Sequence, residues 1–348
     1  MLSDVSQDST EQPSTLWQDK PKETIFDAWE IVTIVNTILS NVVCLLGLAS
    51  NIVNLLVIIR QGFADSVNVS LLGLTISDMG GLMSLLWLKL CSRPLIVKLV
   101  DPPYSPSDFC FMPAGVLRVG FSRTSCYFTI FITVQRCLCI SHPLKIKSLM
   151  TPSNTRLIML SISFAAFFLH CFGLSCTGVA YIGWKHVPFQ NKSLLGLITS
   201  ENFQEVYNTG TLITTFLQIT SFLAIILCTT ILVNQLRQNT KWRNSAITTS
   251  ADKAQIYSSR GQKIGMMVAF LSGILIACYT PSTTALILSL CLADIRNVGT
   301  TDEKFNFFWS LGFLCEAVKS GVNVFVYYTM SSKYRITFNL IISKHKEY

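Results

Sequence analysis

The chain has 348 residues, of which 50% are hydrophobic and 13% are charged, and its formal net charge is +8. Soluble globular domains carry about 25% charged residues, so this composition argues against an ordinary soluble protein. The apolar residues cluster in runs of about 20 or more, which is the length at which a helix spans the hydrocarbon core of a bilayer. Seven such runs predict an all-α membrane protein, a seven-transmembrane helix bundle. In chain order they are Ile31–Arg60, Val69–Leu90, Phe109–Cys139, Leu157–Ile182, Tyr207–Leu236, Ile264–Leu292 and Phe305–Met330, and the last two contain polar interruptions.

The lysines and arginines are unevenly distributed among the segments between these runs. Four segments, at residues 60–68, 136–156, 237–263 and after 330, hold more than half of them but only three acidic residues. An excess of Lys and Arg marks the cytoplasmic segments of a membrane protein, so we expect the N-terminus outside and the C-terminus inside. The net charge therefore reflects topology and does not indicate a nucleic-acid partner.

This topology divides the chain into three parts. Residues 1–28 form a polar extracellular tail, residues 29–332 the transmembrane domain, and residues 333–348 a short cytoplasmic tail that begins with an amphipathic stretch, Lys333 to Ile341. Asn191 lies in an Asn-Lys-Ser sequence on a predicted outside loop, which makes it a candidate glycosylation site.

The third run carries three arginines. Arg118 and Arg136 are 18 residues apart, or five whole helical turns, so both point to the same side at a separation of roughly 27 Å. Ser125 lies close to this line, whereas Arg123 is turned away by about 140° and is expected to face a neighbouring helix. Arg136 falls at the cytoplasmic mouth, where a plain membrane anchor and a switch residue are both possible.

The seventh run carries a polar stripe. Glu316, Lys319, Ser320, Asn323 and Tyr327 follow one another at helical spacing and share one face. Such a face must turn away from lipid. A buried cation in mid-membrane needs an anion, so depth alone predicts two ion pairs, Lys319 with Asp78 of the second run and Arg118 with Glu316.

Short motifs occur in a fixed order along these helices. They are "GLASN" with Gly47 and Asn51, Leu74 and Asp78, Gln135-Arg136-Cys137 followed by Pro143, Cys278-Tyr279-Thr280-Pro281, and "NVFVY" from Asn323 to Tyr327. In these motifs the chain resembles rhodopsin-like (class A) G-protein-coupled receptors over nearly its full length, and the amphipathic stretch stands where their eighth helix would be. The stretches "SRTSCYFTIFITVQRCLCISHPLKIKSLMTP" and "NKSLLGLITSENFQEV" are similar to molluscan chemosensory-type and peptide-receptor-like members.

The resemblance implies a plasma-membrane receptor that binds an extracellular ligand in the outer half of the bundle and activates a heterotrimeric G protein on the cytoplasmic face. Gln135 stands where the family has an acid that restrains Arg136, which favours some ligand-free activity. Tyr279 replaces a tryptophan, and Val324 replaces a proline. The residues to which the resemblance assigns the G-protein switch are Gln135, Arg136, Tyr279, Pro281, Asn323 and Tyr327.

The resemblance also implies an intramembrane polar network of Asn51, Asp78, Ser125, Lys319 and Ser320. Many relatives hold a sodium ion near the acid of the second helix. Because Lys319 lies on the facing side of the seventh helix, we expect its ammonium group to replace that ion. Signalling is then expected to be insensitive to sodium.

Four residues are candidates for the ligand pocket: Arg118, Arg123, Glu316 and Tyr279. An inward arginine in the outer half favours a carboxylate, a sulfate or a peptide carbonyl, which indicates a small peptide or an anionic or polar chemosensory cue. The lack of an aspartate on that part of the third helix argues against a biogenic amine. If Glu316 neutralises Arg118 at rest, the ligand must break or bridge that pair.

Of the twelve cysteines, only four lie near the outer face, where oxidation is possible. Residues 177–227 contain no cysteine, so the bridge common in the family, from the third helix to the second outside loop, cannot form in the usual way. For Cys110 three alternatives stay open: a bond to Cys176, a bond to Cys91, or a free thiol. The fourth cysteine near the outer face is Cys291.

A transporter or channel is the alternative function, because it also places charged residues in mid-membrane. Transporters usually have internal repeats with broken helices in matched positions, and the sequence has no such repeat. It also lacks a phosphate-binding glycine loop, HExxH and G-x-S-x-G, so we expect neither an enzyme nor a cofactor. The expected partners are a ligand, the bilayer and a heterotrimeric G protein.

Overall fold

Seven long helices form the body of the protein. The computed structural model describes residues 28–91, 106–175, 180–187, 192–199, 201, 203–245, 252–291 and 303–344. The long helices are α1 (Ala28–Gln61), α2 (Ser66–Cys91), α3 (Pro106–Ser141), α4 (Pro152–Ser175), α5 (Phe203–Ser245), α6 (Asp252–Cys291) and α7 (Glu303–Met330). A loop helix, Pro143–Leu149, lies between α3 and α4, and a C-terminal helix, Ser332–Lys344, follows α7.

Local hydrogen bonds explain where two of the helices begin. At the start of α2, the backbone N–H of Val67 donates to Oδ1 of Asp65 at 3.0 Å. At the start of α4, the N–H of Asn154 donates to the hydroxyl of Thr151 at 3.2 Å, and Pro152 occupies the first helical position. Both are N-cap arrangements. Hydropathy alone predicts later starts for both helices, because it finds only the apolar part of each helix.

The long helices differ in how apolar they are, and therefore in how clearly they qualify as membrane spans. Among the described residues, α1 to α6 each contain a stretch long and apolar enough to span a bilayer. The seventh helix, with 28 residues, is not among these six. Its length is sufficient, at about 1.5 Å per residue, but Glu316, Lys319 and Asn323 lower its hydropathy. The predicted seventh crossing is therefore not shown by hydropathy.

The prediction of a purely helical fold is incomplete, because a β-hairpin lies between α4 and α5. Strand β1 (Ala180–Val187) pairs antiparallel with β2 (Lys192–Thr199), with Gly183 opposite Gly196. The predicted fourth span runs to Ile182 and so includes the first three residues of the hairpin. Its predicted end is therefore wrong. A short apolar run reads the same whether it forms a strand or the end of a helix.

The interior of the bundle holds many polar and charged groups beside its apolar core, and its outer surface is apolar. Buried groups include Asp78, at 2% exposure, and Lys319, at 3%. By contrast Leu46, Phe164 and Phe216 are each more than 60% exposed. Buried charges and a largely apolar surface are unusual in a soluble protein and are expected of a bundle surrounded by lipid.

Close packing fixes α7 against α1. A Cβ on Gly321 would lie 3.3 Å from the Cα of Gly47, so the two backbones touch at this point. The hydroxyl of Ser50 donates to the carbonyl oxygen of Gly321 at 2.7 Å. The amide of Asn51 donates to the carbonyl oxygen of Ser320 at 2.8 Å. These contacts hold the middle of α7 at a fixed depth beside α1.

Candidate functional site: a buried polar network along the bundle

Asp78 lies at the centre of a cluster of donors. Its carboxylate accepts from Lys319 Nζ at 2.8 Å, Ser125 Oγ at 2.7 Å, Ser320 Oγ at 3.1 Å and Asn323 Nδ2 at 2.6 Å. The Lys319 ammonium also donates to the Ser125 hydroxyl. The predicted Lys319–Asp78 ion pair therefore forms.

A second ion pair lies further out. Arg118 Nη2 donates to Glu316 Oε2 at 2.7 Å, as predicted from depth. The same carboxylate accepts from the hydroxyls of Ser122, at 3.1 Å, and Ser282, at 2.8 Å. The guanidinium of Arg118 also lies over the ring of Phe313, 3.6 Å from its centroid. Glu316 therefore connects α7 to α3 and to α6 at one point.

Tyr279 joins this second cluster from α6. Its hydroxyl donates to the backbone carbonyl oxygen of Ser122 at 2.7 Å and lies 2.6 Å from the Ser122 hydroxyl. A small cavity lies between the two ion pairs, with Asp78, Arg118, Tyr279 and Glu316 among its lining residues. The cavity therefore connects the two clusters.

Arg123 differs from Arg118 and Lys319. It is 7% exposed, and no described residue is a hydrogen-bond partner of its Nε or Nη1. The structure does not bring it into the Glu316 cluster, nor among the residues that line the cavity. As the helical spacing predicts, its side chain leaves the line of Arg118 and Arg136.

The cytoplasmic end of α3 contains a third arrangement. The amide of Gln135 donates to the Ser66 hydroxyl at 3.1 Å and accepts from the Ser70 hydroxyl at 3.4 Å. Gln135 is therefore held by α2 and not by Arg136. Arg136 is 8% exposed, and its Nε and Nη2 have no hydrogen-bond partner among the residues that the structure describes. The same holds for the buried hydroxyl of Tyr327.

Comparison with known families decides which class this network belongs to. A family model described as "Serpentine type 7TM GPCR chemoreceptor Srw" matches residues 38–345, which include nearly the whole helical bundle. The chain belongs to the Srw family of serpentine chemoreceptors. A comparison with curated proteins finds no match.

Membership of the Srw family makes this chain a G-protein-coupled receptor and a multi-pass membrane protein. The family is one of receptors and not of enzymes, and it implies a ligand and a G protein as partners in general. The match names neither the rhodopsin-like class nor its molluscan members. The receptor family therefore stands, and the narrower resemblance stays a prediction.

Several contacts of this Srw receptor escaped the sequence reasoning. Ser122 follows Arg118 by one helical turn, so its place beside Glu316 was readable from spacing, and Ser282 directly follows Pro281. Tyr334 of the C-terminal helix donates to Oδ1 of buried Asn54 at 2.6 Å. No pattern in the sequence indicates that last contact, because it joins positions 280 residues apart.

Some predictions concern groups outside the described part of the receptor. Asn191, Cys176 and the N-terminal tail up to residue 27 are not described, and neither are the side chains of Cys91, Cys110 and Cys291. The glycosylation site and the three alternatives for Cys110 therefore stay predictions. Pro281 lies within α6, which is one helix from Asp252 to Cys291.

Proposed function

We propose that this Srw receptor lies in the plasma membrane, binds a small peptide or an anionic or polar chemosensory ligand in the outer half of its bundle, and activates a heterotrimeric G protein. In this proposal all seven long helices cross the membrane, with the N-terminus outside. The observation that carries the proposal is the Glu316 cluster. One carboxylate there holds α3, through Arg118 and Ser122, and α6, through Ser282.

The Glu316 cluster supplies a physical route from ligand to helix movement. A ligand shifts a receptor only if it binds one conformation more tightly than the other. A carboxylate or carbonyl that competes for Arg118 would weaken its pair with Glu316, and the hydrogen bonds of Ser122 and Ser282 would weaken with it. Helix α6 is then free to tilt, and Pro281 within it removes one backbone hydrogen bond and eases bending.

The cytoplasmic end is suited to receive a partner when α6 moves. Arg136 is a buried cation with unused N–H groups, and Tyr327 has an unused hydroxyl. Outward movement of α6 would expose both to the C-terminal carbonyls or carboxylates of a G protein. Because Gln135 is bound to α2 and is neutral, no acid directly beside Arg136 in the sequence restrains it, so we expect measurable signalling without ligand.

The test is ligand-free signalling in cells that carry a G-protein biosensor. We expect Arg136→Ala to lower the basal signal to background at unchanged surface expression. Arg156→Ala is the matched control, because Arg156 is exposed on α4 at the same membrane face and bonds only a backbone carbonyl there. Equal signals from wild type and Arg136→Ala would contradict the proposal, and so would a solute flux that continues without a G protein.

A second variant tests the outer cluster. Glu316→Gln keeps the shape of the side chain but removes the charge that holds Arg118. We expect a higher basal signal than in wild type, because the contacts of α3 and α6 with α7 weaken together. A basal signal equal to that of wild type, at equal surface expression, would remove the Glu316 cluster from the mechanism.

A further inference from the structure

Among the described residues, no carboxylate contacts the buried cation Arg123. Arg118 and Lys319 each contact a carboxylate, at 2.7 and 2.8 Å. Arg123 is 7% exposed, and within the described part of the chain neither its Nε nor its Nη1 has a hydrogen-bond partner. It lies 13 residues before Arg136, or about 20 Å along the helix axis towards the outside, so cytoplasmic water and a G protein are far from it.

An apolar cluster one helical turn deeper than Arg123 indicates which helices surround this residue. Cys126 packs with Ile225 of α5 and with Tyr279 of α6. Arg123 precedes Cys126 by three residues and therefore lies one turn further out, towards the same two helices. By this helical spacing, Arg123 faces the layer between α3, α5 and α6.

That layer contains a second unsatisfied polar atom. Gln218 lies two turns further out than Ile225 on α5, and Thr283 lies one turn further out than Tyr279 on α6. The Gln218 amide nitrogen donates to the Thr283 hydroxyl at 3.0 Å, whereas its Oε1 has no partner. Gln218 is 2% exposed, so this oxygen is not satisfied by bulk water.

An unpaired arginine in such a place is unfavourable and cannot neutralise itself. A buried charge without a partner is strongly destabilising, and in a membrane interior an ionisable group is expected to have a named partner. Arginine keeps its proton at all physiological pH values. An anion that binds from outside the chain would remove this penalty.

We propose that Arg123 is the binding site for a compact monovalent anion, held in the layer between α3, α5 and α6. The free N–H groups of the guanidinium donate to the anion, and Gln218 Oε1 accepts from an N–H or O–H group when the anion belongs to an organic ligand. A carboxylate of an organic ligand and an inorganic halide share this chemistry. The site rests on the proposed function only where the anion is part of an agonist.

The proposal separates the two outer arginines that the sequence groups together. Arg118 is already neutralised by Glu316 and covered by Phe313, so a ligand must displace an internal partner to reach it. Arg123 offers its charge without such competition. An anion at Arg123, about 7.5 Å deeper along α3 than Arg118, therefore displaces no internal partner.

The test is thermal unfolding of the purified full-length receptor in detergent, with chloride or formate added to a background of the larger anion gluconate. We expect each effective anion to raise the wild-type Tm by about 2 °C at ten times its Kd. Arg123→Met should show no such rise. In gluconate alone its Tm should exceed that of wild type, because the variant no longer buries an unpaired charge.

Two further variants keep the test decisive. The double variant Arg118→Gln/Glu316→Gln removes a different buried arginine together with its acid, and it should retain the rise with anion. Arg123→Lys keeps a cation and should retain part of the rise in Tm with anion. This variant supplies the test if Arg123→Met does not fold. A rise in Tm with chloride alone identifies the bound anion as a halide, and a rise in Tm with formate identifies it as the carboxylate of a ligand.

The proposal is overturned if no anion raises the wild-type Tm, or if the rise persists unchanged in the Arg123 variants. The measurement uses no G protein. A receptor that binds anions at Arg123 but gives no biosensor signal would therefore refute the proposed function and leave this site standing. A receptor that gives the biosensor signal but shows no rise in Tm with anion would refute this site and leave the proposed function standing.

Discussion

Replacing Lys319 with methionine is the most direct perturbation of the Asp78 cluster. The variant keeps the length and apolar stem of the side chain but leaves the Asp78 carboxylate, which is 2% exposed, with three neutral donors and no cation. Breaking a buried pair on one side costs about 3–5 kcal/mol. With an unfolding entropy of about 2.1 cal/mol/K per residue, a chain of 348 residues should lose roughly 4–7 °C in Tm.

The assay is thermal unfolding of the purified receptor, with the double variant Lys319→Met/Asp78→Asn as the matched control. The double variant should recover most of the loss, because it removes the unpaired charge as well. We also expect the wild-type Tm to be unchanged when sodium replaces choline, whereas Lys319→Met should gain stability from sodium at the vacated position. A single variant that melts with wild type, or a wild type stabilised by sodium, would refute the reasoning.

Two other contacts give predictions for the same assay. A Cβ on Gly312 would lie 2.7 Å from Ser282 Oγ and 3.2 Å from its Cα, so Gly312→Ala should force α6 and α7 apart at a cost of about 1–3 kcal/mol and lower the Tm. Gly273→Ala, which meets no atom within 4 Å, should not lower it. Tyr334→Phe loses the hydrogen bond to Asn54 and should cost about 1 kcal/mol; an unchanged Tm would mean that this bond does not attach the C-terminal helix.

Much of the helical framework was readable from the sequence because lipid imposes a simple rule. Runs of apolar residues located α1, α2 and α3 to within a few residues. The hairpin and the loop helix were missed, since neither has to be apolar and both depend on packing against the bundle. The end of α4 was misjudged because Tyr181 and Ile182 are apolar in a strand as in a helix.

The polar network, too, was only partly predictable from the sequence. Asp78, Glu316 and Lys319 could be paired from depth, because a membrane interior offers a charge very few partners. The contacts of hydroxyl groups could not, since Ser and Thr can bond their own backbone and sequence does not show which of them reach across. The lack of a partner for Arg123 was likewise invisible, because its angle on α3 says which way it points and not what it meets.

The difference between the attachments of α7 and α6 has a consequence for pharmacology. Helix α7 is joined to α1 through Ser50 and Gly321 and to α2 and α3 by two ion pairs. The contacts of α6 include neutral hydroxyl bonds such as the one between Thr133 and Ser272, at 3.0 Å. A compound that grips only the α1–α2–α7 side would bind both conformations equally and stay silent, however high its affinity. Efficacy in this receptor should therefore be sought among compounds that touch α6 or the Glu316 cluster that holds it.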